Sequence, residues 1–480
     1  MSKKFLQNLI FLILLNVIIK PVWIFAIDRN IQNIVGANEY GFYISLFNFS
    51  LIFNMLADFG LTHFNTRNIS QNKQLLSKHI QHFITIKLIL VLIYVIITFL
   101  FAFFANYSER QLKFLVILVL NQAILTFVLY FRSNISALQL FKTDSIISVI
   151  DKLILIIICA FLIFEYQSNY KIIWLVYAQT ASYLFVLIIS FTAVYKNSAI
   201  ITLNLNLKFI LAIIKKSSPF ALLIFLMTIY TRIDSVMLER MLENGSLYSG
   251  IYAQAFRIID AFSMFAFLFA ALLLPIFSKM IKEKKDISEI LKISTALMFV
   301  SLIIAIIPII LYSKQLMQLL YNEHYELSFL VLNKLLLGFF GIASIYIFGT
   351  LLTANGNLKQ LNIISLTGAI LNIVLNFVLI PDYKADGAAF SSMITQILMA
   401  ALQIFLVIKI FRIKINYNSI LKFTGFLIFI ILNNILIKYL IKDIKLGFIL
   451  MIISSLVIAL IFRILNFKMI KDMFLLSVNK

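Results

Sequence analysis

The sequence predicts an all-α polytopic membrane protein that crosses the bilayer about fourteen times. Hydrophobic residues make up 62% of its 480 residues, and the mean hydropathy is +1.02. Apolar runs of about 20 residues, the length of one transmembrane helix, recur along the whole chain. A β-barrel would instead show segments of about ten residues with alternating polarity. These observations exclude an ordinary soluble enzyme.

The apolar runs place the helices in order along the chain. We predict spans at about 5–27, 39–60, 80–105, 112–131, 144–165, 172–194, 217–238, 249–277, 291–312, 327–351, 360–381, 386–410, 420–441 and 446–466. The connections between them lack the strand pattern and the Pro- and Gly-rich composition of an inserted domain. We therefore expect no separate catalytic or nucleotide-binding module.

Lysine and arginine are distributed unequally between the two sets of loops that these spans define. About 25 of the 41 fall on the side that holds both termini, and about 10 fall on the other side. Short cytoplasmic loops collect positive charge, so we predict that both termini are cytoplasmic. The net charge of +21 is explained by loops beside anionic membrane lipids, and no nucleic-acid partner is expected.

Charged residues interrupt the predicted spans, and each costs about 2.5–3.5 kcal/mol near the bilayer centre, so such residues usually face a bundle interior or a polar cavity. We predict a cationic lumen from six of them: Lys20, Lys87, Lys152, Arg232, Arg257 and Lys334. Structural pairing is the alternative where an acid is near in sequence, as Asp151 is to Lys152 and Asp260 is to Arg257. Lys20, Lys87 and Lys334 have no acid close in sequence, which favours the lumen for these three.

Three acidic residues are candidates for ion coupling. Asp58, Asp234 and Asp260 lie within or at the ends of spans, where a carboxylate can carry a coupling proton or Na⁺. Ion pairing is the alternative for each, and Asp58 is also placed to cap a helix end. The histidines are scattered and Cys159 stands alone, so we expect no metal site and no disulfide. There is no Gly-rich phosphate loop, and we expect no cofactor.

The chain contains a weak internal repeat. Glu39-Tyr40-Gly41-Phe42-Tyr43 opens one predicted span, and Tyr248-Ser249-Gly250-Ile251-Tyr252 opens another. The shift predicts two six-helix lobes, residues 1–200 and 201–412, with two additional helices and a cytoplasmic tail in 413–480. Because each unit has an even number of crossings, the lobes would be related by a pseudo-two-fold axis along the membrane normal, with a cavity between them.

Three groups of motifs, in order along the chain, resemble one family. They are Val35–Tyr43 with Asp58-Phe59-Gly60-Leu61 and Arg67; Arg232-Ile233-Asp234 with Ser249–Arg257; and Ala354–Asn357, Gly368–Asn376, Ile380-Pro381 and Gly387–Ala389. Over nearly its full length the chain resembles the polysaccharide (O-antigen, Wzx-type) flippases of the multidrug/oligosaccharidyl-lipid/polysaccharide (MOP) exporter superfamily. One difference is Lys384, which stands where that family often has Gly after a Pro-x-Tyr turn.

The resemblance implies a non-enzymatic flippase of a bacterial cytoplasmic (inner) membrane. It would alternate between inward-open and outward-open states and move a polyprenyl-diphosphate-linked oligosaccharide to the outer leaflet for surface polysaccharide or lipopolysaccharide biosynthesis. The six cations would hold the diphosphate, which otherwise loses hydration worth many kcal/mol in hydrocarbon. Membrane lipids are expected partners, and polysaccharide assembly proteins are left open.

Three alternative functions remain open at this stage. A drug or cation exporter related to the MATE transporters should expose acids in its cavity, but this chain has more intramembrane lysine and arginine than aspartate and glutamate. A lipid-linked peptidoglycan-precursor flippase is the next alternative. A membrane-bound polysaccharide polymerase or ligase typically needs a large external loop, which the sequence does not show.

Overall fold

The computed structural model describes residues 15–16, 18–62, 65, 69, 76–138, 140–196, 207–413 and 417–462. Its helices are α1 (Ile18–Asp58), α2 (Leu76–Phe104), α3 (Glu109–Ala137), α4 (Phe141–Tyr166), α5 (Ile172–Tyr195), α6 (Leu207–Met241), α7 (Gly245–Lys282), α8 (Ser288–Leu311), α9 (Ser313–Leu320), α10 (Tyr325–Ala354), α11 (Leu358–Phe411), α12 (Tyr417–Leu440) and α13 (Ile444–Ile461). These described residues contain no β-strand.

Twelve of the described helices, all except the eight-residue α9, are long and apolar enough to cross a membrane. Two of the twelve contain a residue with non-helical backbone angles, α1 at Gly36 and α11 at Lys384. Division at these two breaks gives fourteen segments, so the predicted all-α, multi-pass fold is confirmed. The start of the predicted span 5–27, the end of 446–466 and both termini lie outside the described residues.

The first break, in α1, reverses the chain direction. Gly36 has φ 79° and ψ 164°, a conformation that glycine adopts without the steric cost of a Cβ atom. The Tyr40 hydroxyl donates to both carboxylate oxygens of Asp28, at 2.9 Å each, and this contact ties the two sides of the break together. Before the break, a π-helical turn at Trp23–Asp28 follows Pro21, which lacks the backbone N–H of a helical hydrogen bond.

The second break, in α11, is a hairpin between two antiparallel segments. A Cβ atom at Gly368 would lie 2.6 Å from the sulfur of Met399, so residues before and after the break pack side by side. Lys384 has φ 53° and ψ −132°, which is a left-handed conformation in a residue that carries a side chain. This is the position where the resembling family often has Gly, and strain of this kind costs about 1–3 kcal/mol.

The chain divides into two compact units, one ending at Ala253 and the other beginning at Gln254. We call them the N-terminal unit and the C-terminal unit. The boundary predicted from the sequence, between 200 and 201, rests on the internal repeat and stays a prediction. The N-terminal unit has a core of buried apolar side chains from several helices, among them Phe83 in α2 and Tyr130 in α3.

Two glycines of the internal repeat meet within the N-terminal unit. A Cβ atom at Gly41 would lie 1.7 Å from the Ser246 carbonyl oxygen, and one at Gly250 would lie 1.8 Å from the Ala37 carbonyl oxygen. The second half of α1 and the start of α7 therefore cross with their main chains in contact. Close approach through small residues is the usual way in which membrane helices associate, because lipid supplies no hydrophobic driving force.

Candidate functional site: intramembrane cations

Lys87 and Asp58 form an ion pair inside the N-terminal unit, which we call the enclosed pair. The Lys87 side chain, in α2, is 0% exposed, and its Nζ lies 2.8 Å from Asp58 Oδ1 at the end of α1. Lys87 also donates to the Thr126 hydroxyl of α3 at 2.7 Å. The Thr62 backbone N–H and hydroxyl both donate to Asp58, so each charged group has several hydrogen-bond partners.

The surroundings of the enclosed pair are aromatic and closely packed. Lys87 Nζ lies 6.0 Å from the ring centre of Phe127 and 5.9 Å from that of Tyr130, within the range of a cation–π interaction. A buried charge that loses its partner is strongly destabilising. Lys87 therefore joins α2 to Asp58 of α1 and to Thr126 of α3, and a diphosphate could bind it only if the pair separated. The structure places Lys87 in an ion pair, and its lumenal role stays a prediction.

A second group of charges in the N-terminal unit is partly exposed. Lys152 Nζ lies 3.2 Å from Asp151 Oδ2, with 22% and 19% of the two side chains exposed. Lys20, from α1, is half-buried and lies within electrostatic range of both Lys152 and Asp151. We call Lys20, Asp151 and Lys152 the partly exposed cluster. It brings together two of the six predicted cations from helices far apart in sequence.

Aromatic and polar side chains surround this cluster. Lys152 Nζ lies 6.0 Å from the ring centre of Trp23 and 5.7 Å from that of Tyr183. The Ser182 hydroxyl donates to the Asp151 carbonyl oxygen at 2.6 Å, which fixes α5 against α4. Arg132 also acts electrostatically on Lys20, although Arg132 has its own ion pair with Asp144 at 2.8 Å. The local arrangement is thus a cationic site with flat apolar faces beside it.

The predicted cation Arg232 and the candidate coupling acid Asp234 both lie in α6. Arg232 is half-buried, whereas Asp234 is 0% exposed and accepts a hydrogen bond of 2.6 Å from the Tyr252 hydroxyl. This bond links α6 to the start of α7, next to the contact between Gly41 and Gly250. Asp234 therefore has a structural role, whether or not it also exchanges an ion.

The remaining two predicted cations lie in the C-terminal unit, and each has an acidic partner. Arg257 Nη1 lies 3.2 Å from Asp260 Oδ2 on the same face of α7, which is the local pair that the sequence offered as an alternative. Lys334 Nζ lies 2.5 Å from Asp386 Oδ1, a pair between α10 and α11 with both side chains about one-third exposed. Its sequence surroundings alone would indicate that Lys334 has no acidic neighbour. In the structure its acidic neighbour is Asp386.

Several polar residues in the N-terminal unit were missed by the sequence analysis. Asp28 is 1% exposed, and its partner Tyr40 is identified only by the chain reversal. Arg110 Nη2 binds both carboxylate oxygens of Glu39, at 2.9 and 2.6 Å. Gln111 donates to Glu239 at 2.6 Å. The one available signal was the position of these residues at the ends of predicted spans, where polar side chains are ordinary.

Comparison with known sequences identifies the family. The family model described as polysaccharide biosynthesis protein matches residues 5–281, which is more than half of the chain. The chain belongs to this family. The capsular polysaccharide biosynthesis protein CapF of Staphylococcus aureus is 28% identical over 181 residues, a match that covers 37% of the present chain and 45% of the length of CapF. The chain thus aligns with less than half of that relative.

Solved structures agree with this assignment at the level of the fold. The lipid II flippase MurJ in its inward closed conformation is similar with a TM-score of 0.72 and 16% identity, over 96% of this chain and 98% of that one. An inward-facing multidrug resistance MATE family transporter of the MOP superfamily has a TM-score of 0.61 and 14% identity, over 81% of this chain and 94% of that one. The polysaccharide biosynthesis family member therefore has the MOP-type fold that its motifs predicted.

Proposed function

We propose that this protein is a flippase that moves a polyprenyl-diphosphate-linked oligosaccharide from the inner to the outer leaflet of a bacterial cytoplasmic membrane, with both termini cytoplasmic. The observation that carries the proposal is the partly exposed cluster, in which lysines from two membrane-spanning helices interact electrostatically and one of them, Lys152, lies beside two aromatic rings. Membership in the polysaccharide biosynthesis family supports the same class of substrate.

The chemistry of the cluster fits a diphosphate. Two ammonium groups in a partly dehydrated site repel each other more than they would in water, and an anion between them relieves this repulsion. Asp151 offsets one positive charge, so the cluster binds the diphosphate with moderate affinity and can release it. The ring faces of Trp23 and Tyr183 offer apolar surfaces on which a sugar can stack. Binding at this site would precede the change between inward-open and outward-open states.

Coupling to H⁺ or Na⁺ belongs to this proposal and concerns the three acids. Asp58 and Asp260 each face a cation, Lys87 and Arg257 respectively. Either acid could exchange a proton or Na⁺ only if its pair separated during transport. Asp234 accepts a hydrogen bond from the Tyr252 hydroxyl. Protonation of Asp234 would therefore change the hydrogen bond that links α6 to the start of α7.

A lipid-linked peptidoglycan precursor is the second candidate substrate. The observation that favours it is the likeness to the lipid II flippase over 96% of this chain. Such a precursor carries the same diphosphate, so the partly exposed cluster fits both, and the sugar must distinguish them. An exporter of cationic drugs would not need a site with two lysines.

The experiment measures delivery of lipid-linked oligosaccharide to the outer leaflet in cells that depend on this protein. Lys20→Gln and Lys152→Gln should each lower the rate about tenfold, because each removes one charge-assisted contact to the diphosphate. Membrane abundance should stay normal. Lys20→Arg and Lys152→Arg should be milder because the charge is kept.

The matched control is Lys196→Gln, an exposed lysine at the end of α5 outside the cluster, which should transport at the normal rate. Normal transport by both Lys20→Gln and Lys152→Gln, at normal abundance, would refute the role of the cluster. Supply of a peptidoglycan precursor in place of the oligosaccharide separates the two candidates, since the wrong sugar should support no outer-leaflet product.

A further inference from the structure

A cavity of about 470 Å³ lies between the starts of α3 and α5 in the N-terminal unit. Three charged residues from the first turns of α3 line its polar side: Glu109, Arg110 and Lys113. Phe114, Ile117, Ile173 and Tyr177 line its apolar side. We infer that this cavity binds the head group of an anionic phospholipid, with the phosphate at Arg110 and Lys113 and an acyl chain along the apolar side.

The position of the cavity along the helices is the one expected for lipid head groups. α3 begins at Glu109 and α5 at Ile172, so the cavity lies at one end of two membrane spans. Trp174 packs edge-on against Tyr166 and Tyr170, with ring centres 5.6 and 5.7 Å away. Tryptophan and tyrosine collect at the level of the head groups, and these three mark that level beside the cavity.

Arg110 keeps donors that its ion pair does not use. Both of its hydrogen bonds to Glu39 come from Nη2, and the guanidinium carbon lies 4.4 Å from the ring centre of Phe42. Stacking on Phe42 and the bond to Glu39 hold the guanidinium plane in place, while 62% of the side chain stays exposed. A planar guanidinium presents its donors in a geometry that suits phosphate oxygens.

Lys113 is paired with Glu109 at 2.6 Å, but both side chains are highly exposed, at 75% and 82%. Exposed pairs of this kind contribute little to stability, so a phosphate can replace Glu109 as the partner of Lys113. The polar side carries two cations and one anion. Glu39 adds a second carboxylate at Arg110, so the two cations and the two acids balance in net charge. The attraction for an anionic phospholipid comes from the Arg110 donors that Glu39 does not use and from Lys113, whose exposed carboxylate partner a phosphate can replace.

The apolar side and the volume fit a lipid rather than a free anion. Tyr177 is 54% exposed, and Ile117 and Ile173 continue the apolar surface from the charged rim along the spans. Binding sites for small molecules commonly measure about 300–1,000 Å³. A glycerophosphate group fits this volume, and its acyl chains can extend into the surrounding bilayer.

The test uses the full-length protein in nanodiscs that contain equal amounts of phosphatidylglycerol and phosphatidylcholine. Native mass spectrometry then counts the lipids that stay bound on release. The wild type should retain phosphatidylglycerol preferentially. Arg110→Gln and Lys113→Gln should each lower this preference about fivefold, because each cation near a membrane surface contributes about 1 kcal/mol towards an anionic lipid.

The matched control is Lys314→Gln, in the C-terminal unit. Lys314 is also an exposed, ion-paired lysine, 2.9 Å from Glu326, and its hydrogen bond to that carboxylate raises the pKa of its amine. This variant should keep the full lipid preference. Glu109→Gln should strengthen retention of phosphatidylglycerol, because it leaves Lys113 without a competing carboxylate. An unchanged preference in the Arg110→Gln, Lys113→Gln double variant, an equal loss in Lys314→Gln, or weaker retention in Glu109→Gln would overturn the inference.

Discussion

Lys87 and Lys152 are both lysines in apolar helices of the same unit, and each has an aspartate partner and two aromatic neighbours, but they differ in exposure and in where the aspartate comes from. Lys87 is 0% exposed and its carboxylate partner comes from another helix. Lys152 is partly exposed, its partner is the preceding residue, and Lys20 acts on it from α1. An intramembrane lysine is therefore not by itself evidence of a lumen. The distinguishing features are where its partner comes from and how much of it solvent or substrate can reach.

The largest effect should come from removal of the acid in the enclosed pair. Asp58→Asn leaves the Lys87 ammonium buried without a counter-charge, which should lower the free energy of unfolding by about 3–5 kcal/mol. Thermal unfolding of the purified protein in detergent measures this. The double variant Asp58→Asn, Lys87→Met should recover most of the loss, because a buried ion pair can often be replaced by apolar side chains of similar volume. A small effect of Asp58→Asn would show that solvent reaches Lys87.

An intermediate effect is expected when a lysine is exchanged for arginine at the two sites. Lys87→Arg places a larger group among Phe127, Tyr130 and Thr126, and overpacking of this kind costs about 1–3 kcal/mol. Lys152→Arg has space at its partly exposed position and should change stability by less than about 0.5 kcal/mol. Unfolding curves of the two variants test the difference directly. Equal losses at both positions would remove the contrast between the sites.

The smallest effect on stability should come from Asp151→Asn. A pair that is partly exposed contributes little, so the unfolding free energy should stay within about 1 kcal/mol of the wild-type value. Binding should change instead, because loss of a negative charge beside Lys20 and Lys152 strengthens attraction of a diphosphate about fivefold. Titration with a polyprenyl diphosphate measures this. Weaker binding by Asp151→Asn would place the substrate elsewhere.

The apolar runs predicted the fold well because the bilayer imposes a length on each helix. The two breaks at Gly36 and Lys384 fall between spans that the sequence predicts as separate helices. Lys384 stands where the resembling family often has Gly. The sequence could not predict that Tyr40 would bind Asp28, since the contact depends on the angle at which the chain reverses. Pro21 indicates a bend in this helix, but the sequence does not indicate that the turn at Trp23–Asp28 is π-helical.

The sequence shows which charged residues interrupt the apolar spans, but it does not show the acidic partners of Lys87 and Lys334. The acid beside Lys87 lies 29 residues away in sequence and that beside Lys334 lies 52 away, so neither pair has a local pattern. Pairs within one helical turn, such as Arg257 with Asp260, could be foreseen from spacing alone. Contacts between helices depend on helix rotation and crossing, which a hydropathy pattern does not determine.

The contact of Gly41 with Gly250 has a consequence for the way the sequence can change over time. Most tight contacts between helices join two side chains, so a larger residue on one helix can be accommodated by a smaller one on the other. Here each added Cβ atom would meet main-chain atoms, of Ser246 at position 41 and of Ala37 at position 250. No substitution can make a main chain smaller. The two glycines are therefore positions at which a second mutation cannot rescue the first.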